Sequence, residues 1–76
     1  MVEYETLKSE EVKFGKNNFI EVARKKAITE NGENEFISFS RGYRTEDDRV
    51  KWKGSIALPC DPEIIERISD RLKEML

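Results

Sequence analysis

The chain has 76 residues, of which 39% are charged and 37% hydrophobic, with a formal net charge of −2. That is enough chain for one small domain near the size at which a single core becomes marginal, and it leaves room for a second copy to complete the fold. The overall charge gives no case for nucleic acid by itself, and no apolar run approaches the ~20 residues that span a bilayer, so a soluble, cytoplasmic protein is expected.

Residues 1–11 carry Glu3, Glu5, Glu10 and Glu11 against Lys8. With weak apolar patterning, they read as an acidic N-terminal arm or a short edge segment, followed by a domain over 12–76. Val12-Lys13-Phe14 suits a short strand closed by Gly15 and the Asn17-Asn18 turn. Phe19–Thr29 alternates well enough for a long strand, with Ile20 and Val22 on one side and Phe19 and Ala23 on the other. The pattern degrades after Ala23, where a bulge is expected. A helix over Glu21–Ile28 competes, because Glu, Ala, Arg and Lys are good helix formers.

Asn31-Gly32 is a hairpin signal inside the turn cluster Glu30–Asn34. Glu35–Tyr43 then alternates as a third strand, and Arg44–Asp48 is a polar loop. In Arg49–Leu58, Val50, Trp52, Ile56 and Leu58 share one parity, while Arg49, Lys51 and Lys53 share the other. One apolar side and one cationic side are expected for this fourth strand. Asp61 is a good N-cap and Pro62 suits the first helical turn. Ile64, Ile65, Ile68, Leu72, Met75 and Leu76 follow at spacings of three and four, the mark of an amphipathic helix. The fold class expected is α+β, a four-stranded antiparallel meander followed by one helix.

Little in the chain suits catalysis. There is no His to act as a general base, and Glu46-Asp47-Asp48 lacks the spacing of a calcium loop. Cys60, the single cysteine, can form no intrachain disulfide. No enzyme activity, metal or cofactor is therefore expected. Absence of Gln and His beside abundant Lys and Glu leans towards a thermophilic source.

The distribution of charge is more informative than its sum. Arg24, Lys25, Lys26, Arg41, Arg44, Arg49, Lys51 and Lys53 fall on the expected strands and their borders. Cations that follow phosphates, with aromatic rings on which bases stack, are how single-stranded nucleic acid is commonly held. Tyr43 and Trp52 are the rings available, although Trp52 has the parity of the core. The helix residues Ile65, Ile68, Leu72, Met75 and Leu76 are the candidate dimer interface.

Two short stretches in this order, Phe14-Gly15-Lys16-Asn17-Asn18-Phe19-Ile20-Glu21-Val22 and Lys53-Gly54-Ser55-Ile56-Ala57-Leu58 before a Pro-started helix, resemble the transcriptional positive cofactor four family. The likeness covers Val12–Leu76. It implies a curved four-stranded antiparallel sheet, a homodimer formed through the terminal helix, and a groove for unpaired DNA in transcription, repair or replication. Under it, Lys53 matches the basic residue before the family's glycine. Tyr43 falls near the aromatic that ends the third strand, and Arg24, Lys25 and Lys26 fall in a basic second-strand region. The chain departs from the pattern in its longer Thr29–Glu35 turn, in one extra residue between Gly54 and Leu58, and in having Lys25 or Lys26 where an aromatic is common. The acidic run Glu46–Asp48 would also repel a passing strand. Two other functions fit the residues: binding of single-stranded RNA, and a protein-interaction module whose basic sheet docks an acidic partner.

Overall fold

The computed structural model describes residues 2–76. Four strands, β1 (Glu3–Phe14), β2 (Asn18–Thr29), β3 (Gly32–Arg44) and β4 (Val50–Pro59), precede one helix, α1 (Pro62–Glu74). The strands pair antiparallel in chain order, giving a meander with β1 and β4 at its edges. Among the described residues, no helix is long and apolar enough to cross a membrane.

The acidic segment, expected as an arm or a short edge segment, is most of the long edge strand β1, paired with β2 from Glu3↔Ile28 to Phe14↔Asn18. Every β1 residue is exposed, so its main chain, and not a buried side, holds it in the sheet. The competing helix over Glu21–Ile28 is absent, because β2 exchanges hydrogen bonds with a strand on each side. Good intrinsic helix formers give way there to two complete ladders.

Turns set the register. Gly15 and Asn17 adopt φ of 57° and 68°, and this three-residue turn aligns Phe14 with Asn18 and then with Tyr43. The second hairpin turns about Glu30-Asn31, one residue earlier than Asn31-Gly32, because Thr29 pairs directly with Gly32. Thr29 Oγ1 accepts from Asn31 N at 3.2 Å and donates to Gly32 O at 3.1 Å, and Gly32 takes the φ of 134° that other residues rarely adopt.

Two register shifts bend the sheet. In β1 the shift lies between Thr6 and Lys8, opposite Lys25 and Arg24. The irregularity expected after Ala23 in β2 thus resides in its neighbour. In β4, Arg41 faces Gly54 while Gly42 faces Trp52, so Lys53 is the extra residue. An inserted residue reverses alternation beyond it and increases local twist. The expected single parity for Trp52, Ile56 and Leu58 is therefore corrected: Trp52 lies on the side of Phe19, and Ile56 and Leu58 on the side of Phe39 and Ile37.

The two sides differ in kind. Among the described residues, the side of Phe19 holds all that are buried, Phe19, Ala23, Ser38, Ser40 and Gly42. The other side carries Val12, Ile20, Val22, Ile37, Phe39, Ile56 and Leu58, none of them buried. Helix α1 begins as expected, with Asp61 Oδ1 accepting from Glu63 N at 3.0 Å and Pro62 in the first turn. Arg71 and Lys73 occupy its last turn, where cations complement the carbonyl end. Among the described residues α1 approaches no strand but β4.

Candidate nucleic-acid interface

The register brings one group of cations together. Tyr43 on β3 faces Lys51 on β4 and Asn18 on β2, and Asn18 in turn faces Phe14 on β1. Lys53, displaced by the bulge, folds over the Tyr43 ring with its Nζ 5.4 Å from the centroid. Arg41 reaches across β2 and sets its guanidinium 5.4 Å from the centre of the Phe14 ring. Such exposed cation–ring contacts are worth ~0.5–1 kcal/mol each, enough to orient the side chains without burying their charge. Arg41, Lys51 and Lys53 are all exposed. Among the described residues none of the three is in a salt bridge.

The remaining sequence candidates lie elsewhere or are already paired. Arg24 and Lys26 share that side of the sheet but sit towards its opposite end, where Arg24 Nε lies 2.9 Å from Glu35 and Lys26 Nζ lies 3.5 Å from Glu33. Lys25 points to the other side, opposite Phe36. Arg44 also lies on that other side, above the Phe19 ring at 5.2 Å, with Nη2 3.0 and 3.2 Å from the Glu11 carboxylate oxygens. Arg49 is held at 3.2 Å by Asp47. The ten candidates thus divide into a cluster of Arg41, Tyr43, Lys51 and Lys53, a set of neutralised cations, and two residues, Lys25 and Trp52, on the opposite side.

The acidic loop is occupied with itself. Thr45 Oγ1 donates to Asp47 at 2.7 Å and accepts from Arg49 N at 3.1 Å, while Asp48 takes a φ of 62° to close the turn. Its carboxylates make no ion pair with Arg41, Lys51 or Lys53. Among the described residues no group of three or more His, Cys, Asp or Glu side chains converges.

Phe14 belongs to the cluster and was not among the sequence candidates. The available signal was the turn: taking Gly15–Asn17 as a three-residue connection puts Phe14, Asn18 and Tyr43 in one row. The candidate interface residues of the helix form a separate feature. Ile64, Ile68, Leu72 and Met75, flanked by Arg67 and Arg71, line an open apolar groove of about 340 Å³. Ile65 and Ile68 are half-buried, whereas Leu72, Met75 and Leu76 are exposed.

Comparison with known proteins adds no relative: no family model, no curated protein and no solved structure matches the chain.

Proposed function

We propose that this protein binds single-stranded nucleic acid, DNA in the first instance, on the Phe14–Arg41–Tyr43–Lys51–Lys53 end of the sheet, and does so as a homodimer. The observation that carries the reading is that, among the described residues, Arg41, Lys51 and Lys53 have no ion-pair partner and stand beside two aromatic rings. By contrast Arg24, Lys26 and Arg44 each have a carboxylate at hand. Phosphates need free cations, and unstacked bases need ring faces; a duplex offers no such bases. The resemblance of the Phe14–Val22 and Lys53–Leu58 stretches to the positive cofactor four family points the same way. Because the cluster reads no base edge by a dedicated donor set, binding is tolerant of sequence.

The dimer is supported by area. The chain exposes 6365 Å², whereas a folded monomer of its mass exposes about 4,800 Å². The difference, roughly 1,500 Å², is comparable with what one partner loses in a large interface. Uncovered apolar residues account for part of it, including Ile56 at 59% and Leu72 at 57% exposure. A second copy packed on α1 covers the helix groove and leaves the cation–aromatic end of the sheet open.

The test is fluorescence anisotropy with labelled strands of equal length, single-stranded DNA, single-stranded RNA and duplex DNA, at several salt concentrations. With Arg41, Lys51 and Lys53 as the phosphate contacts, log K falls against log salt with a slope of about −2 per chain. Tighter binding of single strands than of duplex is the expected result. Equal or absent binding at low salt refutes the proposal, and preference for the RNA strand reassigns the ligand.

A further inference from the structure

The Lys53 bulge separates two neighbours. Lys51 and Lys53 accompany Tyr43, while Trp52 is turned to the opposite side of the same edge strand. There the indole packs edge-on against Phe19, with ring centroids 5.3 Å apart and planes at 75°. Phe19 itself is 1% exposed, yet Trp52 remains 55% exposed. The contact fixes the indole by one edge, and Gly42 lies against it so closely that a Cβ there would come within 3.1 Å of Cε3. A large ring is thus held rigid with much of its surface uncovered, although burying such surface stabilises a fold.

Beside the indole lies a notch of about 280 Å³ lined by Ser40, Trp52, Lys53, Gly54 and Ser55. The Ser40 and Ser55 hydroxyls are 3.1 Å apart and both reach Ser38; the three bonds use the three hydroxyl protons, and each oxygen keeps a lone pair to accept from a ligand. An aromatic face beside hydroxyl acceptors matches a nucleobase, whose ring can stack while its N–H groups donate.

We infer that this notch takes one unpaired nucleobase stacked on Trp52, so that a bound strand passes around the β4 edge from Tyr43 to Trp52. Lys53 joins the two stations along the strand: it lines the notch, while its ammonium lies over the Tyr43 ring on the other side. The inference rests on the single-strand reading above and adds a second stacking position on the other side of the sheet. A tryptophan that merely packs on Phe19 has no reason to respond to ligand.

Trp52 is the only tryptophan, so intrinsic fluorescence of the full chain reports this position alone. The protein is titrated with a labelled oligothymidine and with a strand of equal length built from abasic residues; anisotropy reads binding and indole emission reads stacking. The expected result is emission quenched, and shielded from acrylamide, by oligothymidine but not by the abasic strand. Trp52→Leu then weakens oligothymidine binding about 5- to 150-fold, the equivalent of one stacked base, and leaves the abasic strand unaffected. Binding of oligothymidine with unchanged emission and unchanged acrylamide access overturns the notch and leaves the proposed function standing. Absence of any anisotropy change at low salt overturns both.

Discussion

Gly42 and Trp52 face one another across the β3–β4 ladder, and a Cβ on Gly42 would stand 3.1 Å from Trp52 Cε3 and from Phe19 Cζ, and 2.9 Å from the Lys51 carbonyl oxygen. The missing side chain is what lets the indole, the fully buried Phe19 and the bulged strand meet. Since the carbonyl is main chain, no rotamer change relieves the contact. Gly42→Ala is therefore expected to destabilise the protein by about 1–3 kcal/mol, the usual cost of overpacking. Urea titration followed by indole emission checks this: the midpoint falls while the slope with denaturant stays constant. An unchanged midpoint shows that the ladder yields there at no cost.

Paired and unpaired cations make different predictions for binding. Removing a free phosphate contact, as in Lys51→Ala or Lys53→Ala, lowers single-strand affinity about fivefold at 0.1 M salt and reduces the log–log salt slope by about 0.7. Arg24 and Lys26 already have Glu35 and Glu33 as counter-charges. Arg24→Ala and Lys26→Ala are expected to leave the slope unchanged. Anisotropy titrations of the four variants over a common range of salt separate the two groups. An equal loss of slope in all four places the phosphate path along the whole sheet.

What was readable in the sequence follows from what each signal encodes. The helix was legible to its first residue, since Asp61-Pro62 states a cap and an apolar period of three and four states the rest. The central strands were legible because β2 and β3 alternate. Only the Val12–Phe14 end of β1 was legible, because an exposed edge strand needs only main-chain partners, and the acidic residues before it carry little alternation to announce them. The shared side expected for Trp52, Ile56 and Leu58 failed because alternation is a running count, and one inserted residue at Lys53 reverses everything beyond it. The division of the cations was hidden for a related reason. Arg24–Glu35 and Lys26–Glu33 depend on the hairpin turning at Glu30-Asn31, and Arg44–Glu11 joins strands that are not adjacent.

The helix start offers a direct stability test. Among the described residues Asp61 is the only side chain that satisfies an amide of the first turn, through Glu63 N at 3.0 Å. Asp61→Ala is expected to cost about 1 kcal/mol, read as a lower urea midpoint by circular dichroism. Asp61→Asn, which keeps the acceptor and removes the charge, recovers most of that loss. If both substitutions cost the same, attraction of the charge to the helix end outweighs the hydrogen bond.

Leu72 distinguishes a solitary chain from a paired one. In the single chain it is 57% exposed, in the groove with Ile64, Ile68 and Met75. If the protein acts alone, Leu72→Glu is an exchange on a solvated surface, and such changes fall within about ±0.5 kcal/mol. If a second copy covers the groove, the same substitution buries an unpaired carboxylate against apolar side chains, which the complex cannot tolerate. The dimer reading therefore predicts that the wild-type chain sediments at twice its monomer mass at micromolar concentration and melts at a temperature that rises with protein concentration. Leu72→Glu should sediment as a monomer, melt lower, and lose that concentration dependence. Its binding of single strands should weaken through loss of the second cation cluster, with the salt slope falling towards that of one chain. A Leu72→Glu protein that keeps the wild-type sedimentation and melting behaviour removes α1 from the interface, and leaves the uncovered sheet side around Ile56 and Phe39 as the surface on which two copies would have to meet.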